Sequence, residues 1–337
     1  SEWNLIDSAG FSLPQTPQKP GQAPNRPIEL NLFDSFKARN NLVSNRVMGY
    51  AQRNLRWKNN REDQFSLTGG IRANYWDLNQ ETVISPRANI AWEPKWKKDW
   101  LFRFSTGYYY QPPFYRELRD FEGELNKDIK AQRSIHFVFA GDYNFLAWGR
   151  PFKFVGEAYY KKMDNIIPYE IDNVRIRYFA ENIADAFAVG VDFKINGEFV
   201  KGVDSWVNFG LLTVQEDLQN DFYVDYFNSD GEKIIPGFTF NDTPIDSIRR
   251  EPGYIPRPSD QRFNFSLFFQ DYLPKNPTYK MSMTFHYGSG LPFGPPSRER
   301  YKDTLRIPAY LRVDMGFSKL LLGPDSKVGP KNIFKDF

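Results

Sequence analysis

Bond-making chemistry needs particular side chains at workable spacing, and this chain offers few. It has two histidines, His136 and His286, and no cysteine. That removes disulfide frameworks, thiolate metal sites and cysteine nucleophiles together, and leaves little basis for a histidine-centred site. The carboxylate-rich stretch Asp217–Glu232 (DLQNDFYVDYFNSDGE) lacks the Asp-x-Asp-x-Asp-Gly spacing and terminal Glu of a calcium loop, so it reads as a solvated loop. No Ser/His/Asp set, phosphate-cradling glycine loop or metal cluster stands out. The chain is therefore read as a non-enzyme with no catalytic residue, no metal and no cofactor. Binding has a better candidate in Gln111–Arg119 (QPPFYRELR), where aromatic faces stand beside Arg116 and Glu117. Two readings stay open there. Tyr110, Phe114, Tyr115 and Arg116 touch a ligand, or the prolines end a strand and the aromatics form a structural corner at a membrane interface.

The elements that must position these residues are strands. In Ser85–Leu118, Ala88, Ile90 and Trp92 share one face and Ser85, Arg87 and Asn89 the other. Next, Phe102, Phe104, Tyr108 and Tyr110 oppose Arg103 and Ser105. A period of two means β-strand, here with one apolar and one ionised face. The pattern recurs in Gln64–Trp76, around 134–145 and 152–161, and again around 189–196, 206–214, 263–270, 280–287 and 311–318. With a less regular first strand over Asn41–Trp57, eleven strands result. Aromatic residues reach 17%, although hydrophobic residues are only 41% and mean hydropathy is -0.60. Alternation produces that combination, whereas no apolar run approaches the roughly 20 residues of a membrane helix. A net charge of +3 leaves no nucleic-acid footprint.

Beyond about residue 95, short turns and long loops alternate, which places the long loops on one side, as in outer-membrane barrels. The other face carries Arg87, Arg103, Asp142, Glu157, Asp192, Lys194, Arg262, Arg312 and Asp314. Burying such charges in a dry sandwich would cost on the order of several kcal/mol per unpaired ion. The predicted fold class is all-β, a transmembrane antiparallel β-barrel segment.

Several short passages carry a resemblance. Ser85-Pro86-Arg87 precedes an aromatic strand, then Gly107-Tyr108-Tyr109-Tyr110-Gln111-Pro112-Pro113 and Arg116-Glu117-Leu118. Glu157-Ala158-Tyr159-Tyr160-Lys161 leads to Asn165-Ile166-Ile167-Pro168-Tyr169. Gly190-Val191-Asp192 and Pro308-Ala309-Tyr310-Leu311-Arg312-Val313-Asp314 follow. Over about residues 40 to 322 the chain resembles the barrel of a TonB-dependent receptor of the type common in Bacteroidetes. The resemblance implies about 11 strands of a 22-stranded barrel in the Gram-negative outer membrane, with the plug domain absent from this segment. It divides the chain into an outside loop over 1–40, barrel strands with long outside loops over 41–322, and a periplasmic turn over 323–337 before final strands that lie elsewhere. Such a piece alone leaves two bare strand edges.

The implied activity is energised uptake of a scarce nutrient: a siderophore, corrinoid, glycan or peptide. The implied partners are the receptor's own plug domain, the inner-membrane TonB complex, outer-membrane lipid and a surface lipoprotein, with no nucleic acid. A non-transporting barrel serving as adhesin or scaffold is the alternative, and a soluble β-rich binding module a third. On the resemblance, the wet-face charges Arg87, Arg103, Asp142, Glu157, Asp192, Arg262, Arg312 and Asp314 dock the plug or line a substrate path. The loops Asn165–Tyr178 and Asn228–Tyr254, with their flanks, add Tyr169, Arg175, Tyr178, Tyr223 and Tyr226 to the ligand candidates.

Overall fold

A computed structural model describes residues 2–12, 31–172, 175–235, 237–294 and 300–320. The fold is all-β. A hairpin of β1 (Glu2–Ser12) and β2 (Asn31–Leu42) comes first. The wall begins with β3 (Arg46–Lys58), β4 (Gln64–Trp76), β5 (Glu81–Glu93), β6 (Asp99–Gln111), β7 (Gln132–Ala147) and β8 (Arg150–Ile166). A small hairpin of β9 (Tyr169–Asp172) and β10 (Arg175–Tyr178) rises from the next loop. The wall resumes with β11 (Ala184–Val200) and β12 (Val203–Leu218). Another loop holds the hairpin of β13 (Tyr223–Phe227) and β14 (Asp246–Arg250), then the two-residue β15 (Ile255–Pro256) against β12. The wall ends with β16 (Phe263–Leu273), β17 (Asn276–Gly288) and β20 (Tyr310–Lys319), after a small bridge of β18 (Pro292–Phe293) and β19 (Leu305–Arg306).

Eleven of these strands form one antiparallel up-and-down meander, each wall strand beside the next in sequence. Among the described residues β3 and β20 close the two ends, each with a single neighbour and exposed along its whole length. Directly opposed residues share a face, so the register reads out both faces. One row runs Leu55, Leu67, Ile90, Phe104, Phe139, Ala158, Val191, Leu211, Phe263 across nine strands and is apolar throughout. An adjacent row on the other face runs Arg103, Ala140, Glu157, Asp192, Gly210, Asn264. Among the described residues no second protein layer covers the apolar face: Phe139 is 54% exposed, Phe193 41% and Phe317 72%. A soluble sandwich would have buried them.

Connections 59–63, 94–98, 148–149, 201–202 and 274–275 lie at one end of the meander. The long ones, 112–131, 167–183, 219–262 and 289–309, lie at the other. Near the short-turn end aromatic rings touch in series from Trp57 to Phe65, Trp92, Phe102, Trp100, Tyr143, Phe145 and Phe152, with centroids 4.5 to 6.4 Å apart. Such a belt suits a membrane–water boundary, where rings are half apolar and half wet. The four central strands are 16 or 17 residues long. A tilted strand crosses the hydrocarbon layer in about 9–11 residues, so these project well past it.

Three expectations change. Residues 1–40, read as a loop rather than a folded element, contain β1 and most of β2. The Pro- and Gln-rich run that prompted the reading lies between those strands, outside the described residues. The first wall strand starts at Arg46, not Asn41, because Asn41 and Leu42 complete β2. β8 and β12 run on to Ile166 and Leu218, past the alternating runs around 152–161 and 206–214, and the loops that follow them carry their own hairpins. Residues 323–337 lie outside the described residues.

Candidate functional site

At the long-loop end, side chains from several loops pack into a core of their own. Leu42, Trp76, Leu118, Ile129, Ile167, Tyr178 and Ala180 are buried together, with Tyr115 and Tyr169 against them. The short 3-10 turn Tyr115–Leu118 organises this cap. Its Glu117 carboxylate accepts a hydrogen bond from the Phe114 N–H at 2.8 Å, and burial raises the Glu117 pKa above the ordinary carboxylate value. The Trp76 Nε1–H donates to Ser44 Oγ at 3.0 Å, and Ser44 meets the Tyr115 hydroxyl at the same distance. The Arg46 guanidinium lies 4.0 Å over the Trp76 ring and donates to the Pro113 carbonyl at 2.7 Å.

Beside this cap, on the polar face, lies a cavity of about 530 Å³. Its position follows from register: Arg46, Met48, Arg72, Asn74, Val83, Ser85 and Arg87 share the polar face of β3, β4 and β5. Tyr109, Gln111, Gln132, Ser134 and Met163 continue it on β6, β7 and β8. Arg133 and Arg257 also line it, and among the described residues no Asp or Glu does.

A second knot secures the loop before β20. Glu216, fully buried near the end of β12, accepts a hydrogen bond from Arg300 Nε at 3.0 Å, Arg300 being itself 2% exposed, and pairs with Arg257 at 2.9 Å. Asp260, also fully buried, accepts from the Val214 N–H at 2.7 Å and pairs with Arg306. Both carboxylates are ion-paired with arginines, which is how buried charge is tolerated.

Of the ligand candidates, Tyr115, Arg116, Tyr169 and Tyr178 come together. Arg116 sits 5.7 Å from the Phe114 ring and 5.8 Å from Tyr178, and Tyr178 is 5.7 Å from Tyr169. Tyr178 is buried and engaged in packing, and burial raises its phenol pKa. Phe114 and Arg175 are exposed, and Tyr110 lines the cavity. Tyr223 and Tyr226 belong to β13, where Tyr223 stacks on Tyr301 at 5.0 Å and Tyr226 is exposed. The polar face holds Arg87 in the cavity wall, then a network in which Asp142 joins Arg103 at 2.6 Å and Lys153 at 2.8 Å, with Glu157 3.7 Å from Arg103. Asp192 lies beside Gly210, Arg262 is 3.6 Å from Asp260, and Arg312 pairs with Asp314 at 2.8 Å on β20.

The sequence reading missed Arg46, Arg257, Asn74 and Ser134 as a set with Arg72 and Arg87. What brings them together is the strand register, in which Arg72 opposes Ser85 and Gly70 opposes Arg87, and the sequence carries no local signal of that pairing. No group of potential metal ligands occurs among the described residues. No helix of the described residues is long and apolar enough to cross a membrane, which leaves crossing by strands open.

No curated protein matches the chain. The model of the TonB-dependent receptor-like β-barrel family matches residues 2–320. That family comprises outer-membrane receptors that act with a plug domain and with TonB. The meander, the uncovered apolar face, the one-sided long loops and this match over nearly the whole chain agree, and the chain belongs to the TonB-dependent receptor β-barrel family.

Proposed function

We propose that this protein takes up a scarce nutrient across the Gram-negative outer membrane, drawing energy through TonB, and that it is of the Bacteroidetes type. The strands form wall, the apolar face meets lipid, and the polar face surrounds a plug and a substrate path. The observation that carries the reading is the arginine-lined cavity on the polar face, set directly beside the packed long-loop cap. A solute caught by the loops enters there. Deeper on the same face, the Arg103–Asp142–Lys153–Glu157 network offers both signs of charge to the plug. A surface lipoprotein closing over the exposed loops fits the same arrangement.

The test is genetic. A deletion of this gene and a deletion of TonB, screened across a nutrient-limitation array, lose growth on at least one nutrient in common. A deletion with no nutrient phenotype but with lost surface attachment would instead favour the adhesin or scaffold reading.

A further inference from the structure

The cavity below the cap combines features that select a ligand. Arg133 is held by Asp164 at 2.8 Å and Arg257 by Glu216 at 2.9 Å, while Arg46 is fixed over Trp76. Arg72 and Arg87 have no carboxylate partner among the described residues. Arg72 reaches only the Met48 sulfur at 3.1 Å, and Arg87 rests 5.2 Å from the Tyr109 ring centroid. Two guanidinium groups that no carboxylate among the described residues neutralises, in a partly enclosed space, make a site for paired negative charge. The remainder of the wall narrows the choice. Val83 and Ile166 are buried there beside Met48 and Met163, an apolar floor that a bare inorganic ion would leave unfilled. Asn74 Oδ1 and Ser134 Oγ are buried in the wall without a hydrogen-bond partner among the described residues. Orphaned acceptor and hydroxyl atoms of this kind call for a partner that both donates and accepts.

We propose that this cavity binds a small organic oligoanion, a hydroxylated carbon framework carrying two or more carboxylate, phosphate or sulfate groups, gripped by Arg72 and Arg87. This rests on the uptake reading for its purpose, though not for its chemistry.

The experiment uses the full-length receptor purified from outer membranes in detergent. It is titrated calorimetrically with citrate, fructose 1,6-bisphosphate, a disulfated disaccharide, inorganic phosphate and, as the neutral control, maltose. At least one of the three organic oligoanions binds, more weakly as salt rises, and inorganic phosphate and maltose do not. Arg72→Gln and Arg87→Gln each weaken that binding about tenfold or more, as expected for a lost bidentate contact. Arg61→Gln, in the short turn over 59–63 at the opposite end of the meander, leaves it unchanged. Should the variants fold poorly, modification of the native protein by phenylglyoxal gives a second readout: the bound oligoanion protects the peptides containing Arg72 and Arg87. The proposal is overturned if none of the three binds up to about 10 mM, or if the Arg72→Gln/Arg87→Gln double variant binds as well as the parent. It is overturned too if the substitutions only loosen an acidic plug segment, seen as faster proteolysis of the plug with no oligoanion binding. Binding in detergent needs no TonB. Retained binding with TonB-independent growth would sink the transport reading alone, and TonB-dependent growth without oligoanion binding would sink this one alone.

Discussion

A β-carbon at position 107 would come within 2.7 Å of Arg87 Cβ and 2.9 Å of the Pro86 carbonyl oxygen. Gly107 opposes Arg87 in the register, so its bare backbone lets Arg87 lie across β6 toward Tyr109. Gly107→Ala therefore forces backbone movement rather than a simple rotamer change. Its expected cost is about 1–3 kcal/mol, read as a lowered urea midpoint in detergent, and Arg87 should lose its place over Tyr109. This constraint is invisible in the sequence. Gly107 opens a tyrosine run that draws attention to the aromatics, while its contact with Arg87 depends on which strands are neighbours.

At the scale of elements, the loop before β20 is held by two buried carboxylates, Glu216 through Arg300 and Asp260 through Arg306. Glu216→Gln leaves Arg257 without its counter-charge and Arg300 with Asp303 alone in a buried setting, a loss of about 3–5 kcal/mol. Limited proteolysis should then cut within residues 289–309 while the wall strands stay protected. The β13–β14 hairpin is held differently. Asp225 pairs with Lys233 at 2.5 Å and Arg250 at 2.8 Å, and these cations, Lys233 foremost, lower its pKa. With a folded pKa below the unfolded one, its contribution is full above the unfolded value of about 3.9 and fades as pH falls through the folded value. Amide protection at Asp225 and Ile248, which oppose each other across the hairpin, should accordingly drop on acidification, and Asp225→Asn should remove that dependence by weakening the hairpin already at neutral pH. Sequence reading treated both segments as plain loops. Their turn residues were visible, but Glu216 and Arg300, or Asp225 and Lys233, meet only when the chain is folded.

For the whole molecule, the apolar row across nine strands predicts a sharp asymmetry between faces. Phe139→Arg, in the middle of the uncovered face, should cost about 2–4 kcal/mol of folding in a bilayer. Asn89→Arg, on the polar face beside Ser105, should cost far less. Folding into lipid vesicles, followed by heat-modifiable gel migration, separates the two. Equal costs would mean that lipid is not the solvent of the apolar face.

The strand pattern was legible because it is local: each side chain alternates with its neighbours, and charge lists such as Arg103, Asp142 and Glu157 fall on one face whatever the strands pair with. The one-sided distribution of loops beyond residue 95 is likewise a matter of spacing along the chain. Pairing is not local. A guanidinium on β4 and another on β5 become one site only when the register sets Arg72 opposite Ser85 and Gly70 opposite Arg87, and Arg46 and Arg257 join from β3 and a distant loop. Which face is wet could therefore be read residue by residue, whereas a cavity lined, among the described residues, by five arginines and no carboxylate is a property of distances that only the folded sheet brings into being.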